Sequence, residues 1–255
     1  MSFIDEIRKI PPVTRFLCGS SLAISIPVML QIVSPYKVVF AKEYVTKKFE
    51  VWRVFTSFFY GSTGINYLFD FIMLYRNSDQ LESLHYARRS ADYAWQLILA
   101  AGGILAMNIP LGSYLHARPL LIALTYLSSR LAPPGTQTSL FGLISLPLVY
   151  FPFALIALDL IMGGPHAAAQ SVTGAVVGHL WWWSVWDNRA LESLGRAPQW
   201  LKNIVGNSDG PSSGGSVGGS GSGVHVIPPR RVREQQEQGR SSGYNWGSGQ
   251  RLGSD

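Results

Sequence analysis

Asn66 and Asp70 stand four residues apart in an apolar stretch, Asn66-Tyr67-Leu68-Phe69-Asp70, so on a helix they share one face. Polar groups at membrane depth must point into a bundle or a wet cavity, which makes the pair a candidate cavity lining; interhelical hydrogen bonding without further function is the alternative. Ser128 and Ser129, flanked by Leu127 and Arg130, offer hydroxyl nucleophiles. A serine nucleophile needs a base beside it and donors for the oxyanion. His179 has no second His, Cys or carboxylate at metal-ligand spacing, so it reads as a packed or interfacial residue, and neither metal nor cofactor is expected. Cys18 is the single cysteine, which excludes a disulfide within the chain. The sequence Gly218-Gly219-Ser220-Gly221 has the form G-x-S-G but lies in a Gly/Ser tract, where composition alone produces it. Gly174 and Gly178 form a G-x-x-x-G pair, whose bare backbone lets a neighbouring helix approach closely.

The elements that must carry these residues are apolar. Charged residues make up 14% of the 255-residue chain, against roughly 25% in ordinary globular proteins. Mean hydropathy is only +0.15 because two unlike parts are averaged. Met1 to about Trp186 is apolar, whereas Gly206 to Asp255 is rich in Gly, Ser, Arg and Gln. A bilayer span needs about 20 mainly apolar residues. The candidates are Phe16–Val33, Val54–Leu74, Tyr93–Leu111, Leu120–Leu131, Leu140–Met162 and Ala167–Trp186. The fourth is short and ends in Ser128, Ser129 and Arg130, so it belongs at the centre of a bundle, shielded from lipid; a re-entrant stretch is the alternative. The expected architecture is an all-α membrane protein of six transmembrane helices with a disordered cytosolic C-terminal tail. The expected divisions are a membrane domain over 1–190, a flexible linker over 191–242 and a short motif over 243–255.

Lys and Arg set the orientation. With six spans, one face carries fifteen basic residues, eight of them in the tail, and the other carries six. Both ends are therefore expected in the cytosol. No cleavable signal peptide is expected, because Asp5, Glu6, Arg8 and Lys9 with two prolines replace a short apolar region. The basic residues do not gather into a patch with interleaved aromatics, which argues against nucleic acid despite a net charge of +6. Five of the six on the second face fall within Ser34–Arg53, where Val38, Val39, Phe40, Tyr44, Val45, Phe49, Val51 and Trp52 alternate with lysines. Such a segment lies along the bilayer surface with its lysines snorkelling outward.

Trp52-Arg53, the stretch Phe58-Phe59-Tyr60-Gly61 … Asn66-Tyr67-Leu68-Phe69-Asp70 … Leu74-Tyr75-Arg76 … Leu81-Glu82, and Gly174…Gly178 together resemble the derlin family, a branch of the rhomboid superfamily. The resemblance runs from Pro11 to about Trp186 and resumes at the C-terminus. It implies a rhomboid-like six-helix fold in the endoplasmic reticulum membrane and a role in moving misfolded proteins out for degradation. It further implies misfolded luminal or membrane proteins as substrates, a membrane ubiquitin ligase complex as partner, and a homo- or hetero-oligomer. Rhomboid proteases use a Ser in G-x-S-G on the fourth helix and a His on the sixth. With the G-x-x-x-G pairs in register that His falls at Ser171, and the fourth span has no G-x-S-G. A pseudoprotease is therefore expected. The rival classes are an active intramembrane serine protease and a small-molecule transporter; no inverted repeat with paired broken helices favours the second.

The tail ends in Tyr244-Asn245-Trp246-Gly247-Ser248-Gly249-Gln250-Arg251-Leu252-Gly253. An isolated Trp and Leu after a linker have no core to join, which suggests a docking peptide. It resembles the Phe-x-Gly-x-Gly-x-x-Leu box that binds the valosin-containing hexameric AAA ATPase. Gly247, Gly249 and Leu252 match, Asn245 stands at the Phe position and Trp246 follows it. The ATPase-binding residues implied are Asn245, Trp246, Gly247, Gly249, Arg251 and Leu252.

Overall fold

A computed structural model describes residues 5, 9–61, 63–140, 144–188 and 193–205, and most of these are helical. Helix α1 spans Pro12–Met29, with proline preset at its first position. Its leading amides are held by a distant carboxylate. The Val13 and Thr14 amides and the Thr14 hydroxyl donate to Glu82 at 3.0, 2.7 and 2.8 Å, and negative charge is favoured at a helix N-terminus. Ser78 and Tyr93 extend this buried network, with Ser78 Oγ 2.9 Å from Thr14 Oγ1 and 2.9 Å from the Tyr93 hydroxyl.

Two short helices follow, α2 (Lys42–Lys48) and α3 (Trp52–Thr56), then α4 (Ile65–Gln80). The apolar run Val54–Leu74 is thus not one helix. The chain leaves α3 at Ser57 and re-enters helix only after Gly64, whose φ of +66° suits glycine. Helix α4 then runs past Leu74 because its polar last turns find buried partners; Asn77 Nδ2 donates to Thr125 Oγ1 at 2.7 Å.

Helix α5 spans Ser90–Asn108 and α6 spans Ala117–Leu131. Every residue of α6 from Pro119 to Ser129 is buried, so this short helix is the bundle's central post. The main core gathers around it, with Leu17, Leu81, Tyr93, Ile104, Leu124, Leu127 and Trp181 packed together.

The fifth apolar run also differs from expectation. Where a helix from Leu140 was expected, strands β1 (Gln137–Leu140) and β2 (Ile144–Pro147) pair antiparallel, Gln137 opposite Pro147 and Leu140 opposite Ile144. The protein is therefore not purely α-helical. Helix begins only at Phe151, and α7 (Phe151–Trp182) is interrupted at Gly164, with φ +77° and ψ −174°. Ser171 bonds Asp159 across this break. In a straight helix twelve residues span about 18 Å, so the limbs 151–163 and 165–182 lie side by side. Among the described residues two helical stretches, Pro12–Met29 and Leu148–Asp187, are long and apolar enough to cross a membrane.

A last helix, α8 (Gln199–Val205), lies inside the stretch expected to be linker. Leu201 and Ala197 pack on Ala91, and the Ala197 amide donates to Asp92 at 2.8 Å. Packed structure therefore continues through Val205. The tail from residue 206, with the expected ATPase-binding motif, lies outside the described residues.

Candidate functional site

Arg118, in the first turn of α6, joins two other helical limbs directly and reaches a third through Asp159. Its Nε donates to both Asp159 oxygens at 2.9 and 3.1 Å, and its Nη2 lies 2.7 Å from Asp159 Oδ1. Its Nη1 donates to Asp70 on α4. Ser171, on the second limb of α7, donates its hydroxyl to Asp159 on the first. One guanidinium therefore fastens α4 and the first limb of α7 to α6, and a serine extends the chain of four to the second limb. The side chains are 13–26% exposed, so this is a partly sheltered cluster of one cation and two carboxylates. Breaking such a pair leaves uncompensated charge, which is costly away from water. A cavity of about 40 Å³ borders Asp70, between Ser21, Tyr67 and Ala117.

Of the expected pair, Asp70 enters this cluster and Asn66, one turn earlier, is exposed. Sequence reasoning missed Arg118 and Asp159. The signal was available: Asp159 is a lone acid in an apolar run, and a buried carboxylate requires a cation. Arg118, at the entry to the fourth run, was instead counted as an orienting surface charge.

The first loop is organised by Arg53, which is 7% exposed. It pairs with Glu50, donates to the Tyr36 and Val39 carbonyls, and sits 4.8 Å over the Tyr44 ring. A planar fork with five donors suits this position, which an ammonium would not fill. Trp52 points the other way, 57% exposed beside exposed Phe49, Val51 and Phe55.

Gly174 and Gly178 mark the crossing of α7 over α6. A β-carbon at Gly174 would stand 2.2 Å from the Pro119 carbonyl oxygen, and one at Gly178 would stand 2.8 Å from that of Ala123. Backbone against backbone leaves no room for any side chain.

The serines and histidines are engaged otherwise than in a nucleophile–base pair. Ser128 and Ser129 are buried and donate to the carbonyls of Thr125 and Tyr126 at 3.0 and 2.7 Å. His179 Nδ1 lies 2.9 Å from the Tyr126 hydroxyl. A buried Ser–His contact does occur, with His116 Nδ1 3.0 Å from Ser57 Oγ. Ser57, however, donates its proton to the Val54 carbonyl at 2.9 Å, so the imidazole is the donor. His116 Nε2 is buried without a partner, and burial lowers the imidazole pKa to about 4. Phe40 and Phe58 enclose the ring at centroid distances of 5.3 and 5.2 Å. This contact clamps the first loop to the entry of α6, and a base so weakened is poorly suited to activate a serine.

A mostly helical fold with two candidate membrane-crossing stretches among the described residues, a glycine-mediated crossing and an internal charge cluster is of a kind that membrane proteins build. The chain belongs to the Der1-like family, whose model matches residues 10–191. It is similar to Derlin-1 of Oryza sativa subsp. japonica, at 33% identity over 206 residues, covering 79% of this chain and 84% of the relative. Derlin-1.2 of Zea mays is 30% identical over the same shares. Derlin-1 of Homo sapiens is 28% identical over 258 aligned positions, covering 98% of this chain and 97% of the relative.

Proposed function

We propose that this chain is a non-enzymatic, six-span component of endoplasmic-reticulum-associated degradation, with both termini in the cytosol. It aids retrotranslocation of misfolded luminal or membrane proteins, works beside a membrane ubiquitin ligase complex, and recruits the valosin-containing hexameric AAA ATPase through its C-terminal residues. Membership of the Der1-like family over residues 10–191 carries this reading.

The geometry adds physical support. Helix α6 has 15 residues, about 22 Å of helix, and the limb 151–163 is about 20 Å. A hydrocarbon core is about 30 Å thick, and short spans are accommodated by local thinning. Thinner hydrocarbon lowers the cost of moving unpaired backbone groups, which cost several kcal/mol each in lipid. The non-enzymatic part is supported by Ser171, which stands where an imidazole would be needed and is committed to Asp159.

The test is a crosslinked pull-down from detergent-solubilised membranes with the full chain and with the chain lacking residues 243–255, alongside the half-life of a misfolded reporter. Recovery of the ATPase only with the full chain, and a longer reporter half-life on deletion, is expected. Equal recovery from both would refute the recruitment. Labelling by a fluorophosphonate that disappears on mutating Ser57, Ser128 or Ser129 would refute the non-enzymatic reading.

A further inference from the structure

Four side chains at one end of the α6–α7 crossing make a surface that neither the charge cluster nor the tail accounts for. Tyr126 and Arg130 lie one turn apart on α6, and His179 and Trp182 one turn apart on α7. The Tyr126 hydroxyl is 2.9 Å from His179 Nδ1, the His179 and Trp182 rings are 5.8 Å apart, and the Arg130 guanidinium sits 4.1 Å over the Trp182 ring. The four therefore form one continuous chain of contacts across two helices. Arg130 and His179 are exposed, while Trp182 is half-buried.

Arg130 differs from the other arginines at the bundle's joints. Arg53 and Arg118 are each paired with carboxylates. Among the described residues Arg130 has no acidic partner, and its only recorded contact is the indole face. Stacking fixes the plane of a guanidinium while leaving its N–H edge free, and that edge matches phosphate oxygens two at a time. His179 adds a second nitrogen at the exposed rim. The first limb of α7 also begins here: Phe151 packs with Tyr126, and Phe153 meets the Tyr126 ring edge-on at 6.3 Å. Amides at a helix start favour an anion nearby.

The flanks decide which anion. Tyr150 and Phe153 are 63% and 53% exposed on one side, and Leu180 and Trp183 are 51% and 43% exposed on the other. Exposed Trp and Tyr beside a stacked Arg are what a bilayer's headgroup zone selects. A free inorganic anion has no use for apolar walls, whereas a phospholipid places its phosphate on the cation and its acyl chains along the walls.

We propose that Arg130, Trp182, His179 and Tyr126 form a binding site for the phosphate of an anionic phospholipid, with Arg130 as the principal contact. The site lies on the face that carries most of the basic residues, which the surface charge of an anionic leaflet would attract. Its leaflet placement rests on the six-span orientation proposed above, but the site is independent of the tail and of substrate handling, so its test is separate from theirs.

The full chain in detergent is titrated with dioleoyl phosphatidic acid or dioleoyl phosphatidylcholine, and bound lipid is counted by native mass spectrometry. Phosphatidic acid should be retained over phosphatidylcholine, and Arg130→Gln should lower its apparent affinity about five-fold, the worth of one charge-assisted contact at a partly wet site. His179→Gln should lower it less, and Arg88→Gln, on an exposed loop, should change nothing. Arg130→Lys keeps the charge but not the stacked fork, so it should fall between wild type and Arg130→Gln; it also serves should Arg130→Gln fail to fold. Equal retention of phosphatidic acid by wild type, Arg130→Gln and Arg130→Lys overturns the proposal. Displacement of the lipid by millimolar inorganic phosphate overturns the assignment to a phospholipid.

Discussion

Gly174 and Pro119 meet so closely that a single added methyl carbon at residue 174 would stand 2.2 Å from the proline carbonyl oxygen. The neighbour is backbone of helix α6, buried from Pro119 to Ser129, and cannot swing aside. Gly174→Ala should therefore destabilise by about 1–3 kcal/mol, and Gly178→Leu by at least as much. Two other glycines serve as controls. Gly103 faces Val177 at an ordinary 3.5 Å, and Gly19 on α1 has nothing within 4 Å. Gly19→Ala should be neutral or stabilising, by up to about 1 kcal/mol. Thermal unfolding in detergent should rank the variants in this order, and an unchanged melting temperature for Gly174→Ala would contradict the crossing.

Arg118→Met should be more damaging than removing the whole cluster. It leaves Asp70 and Asp159 facing one another without their cation, at a cost of about 2–4 kcal/mol given that the group is partly open to water. The triple variant Asp70→Asn, Arg118→Met, Asp159→Asn removes the charges together and should recover a substantial part of that loss. If the triple variant melts lower than Arg118→Met, the cluster stabilises by more than charge balance.

How far the sequence carried this picture depends on the element. The central position of the fourth run was legible because a span of only 12 residues, with Ser-Ser-Arg in its last turn, cannot face lipid. The breaks were harder. An apolar run fits strand or helix equally until a partner segment selects one, which is why β2 falls inside a stretch the sequence reads as helix. The gap before α4 turned on Gly64, whose positive φ the sequence permits without announcing. Asp70 was recognised as needing an inward partner, but Arg118 lies 48 positions away and Asp159 another 41. Pairing at that separation follows from the fold. Trp52-Arg53 was legible as a motif, yet only the structure separates the outward indole from the buried guanidinium.

Arg53→Ala removes a side chain that holds two carbonyls, Glu50 and the Tyr44 ring in one place. The first loop should lose order while the helical core around α6 stays intact. Limited proteolysis within 36–52 should accelerate several-fold, with little change in expression or insertion, and clearance of a misfolded reporter should slow. A protease-resistant loop in Arg53→Ala would show that the surrounding contacts suffice.

His116 gives the protein a built-in acid sensitivity. Its pKa falls from 6.5 to about 4 on folding, because burial between Phe40 and Phe58 disfavours the charged ring. The folded state thus prefers the neutral imidazole. The associated stability is complete above pH 6.5 and is lost as pH falls from 6.5 towards 4. The detergent melting temperature should drop over that window, and His116→Gln, which has no proton to gain, should show a shallower drop from a lower starting value. Parallel pH profiles would assign the acid sensitivity elsewhere.

Residues Asn245–Leu252 should bind the N-domain of the hexameric ATPase as a short extended peptide. Gly247 and Gly249 permit close backbone approach, Trp246 and Leu252 supply apolar anchors, and Arg251 supplies a cation for an acidic rim. A segment this small must be ordered on binding, so its affinity alone should be weak, in the micromolar range of about −8 kcal/mol. Several tails facing one hexamer would raise the apparent affinity without any new contact. Isothermal titration of a peptide covering 241–255 against the isolated N-domain should give saturable binding that Leu252→Ala or Gly249→Ala abolishes. Trp246→Ala and Asn245→Ala decide which residue takes the aromatic pocket, with a loss of about ten-fold or more expected for Trp246 and little for Asn245. No measurable heat at high micromolar peptide would remove the motif from the recruitment mechanism.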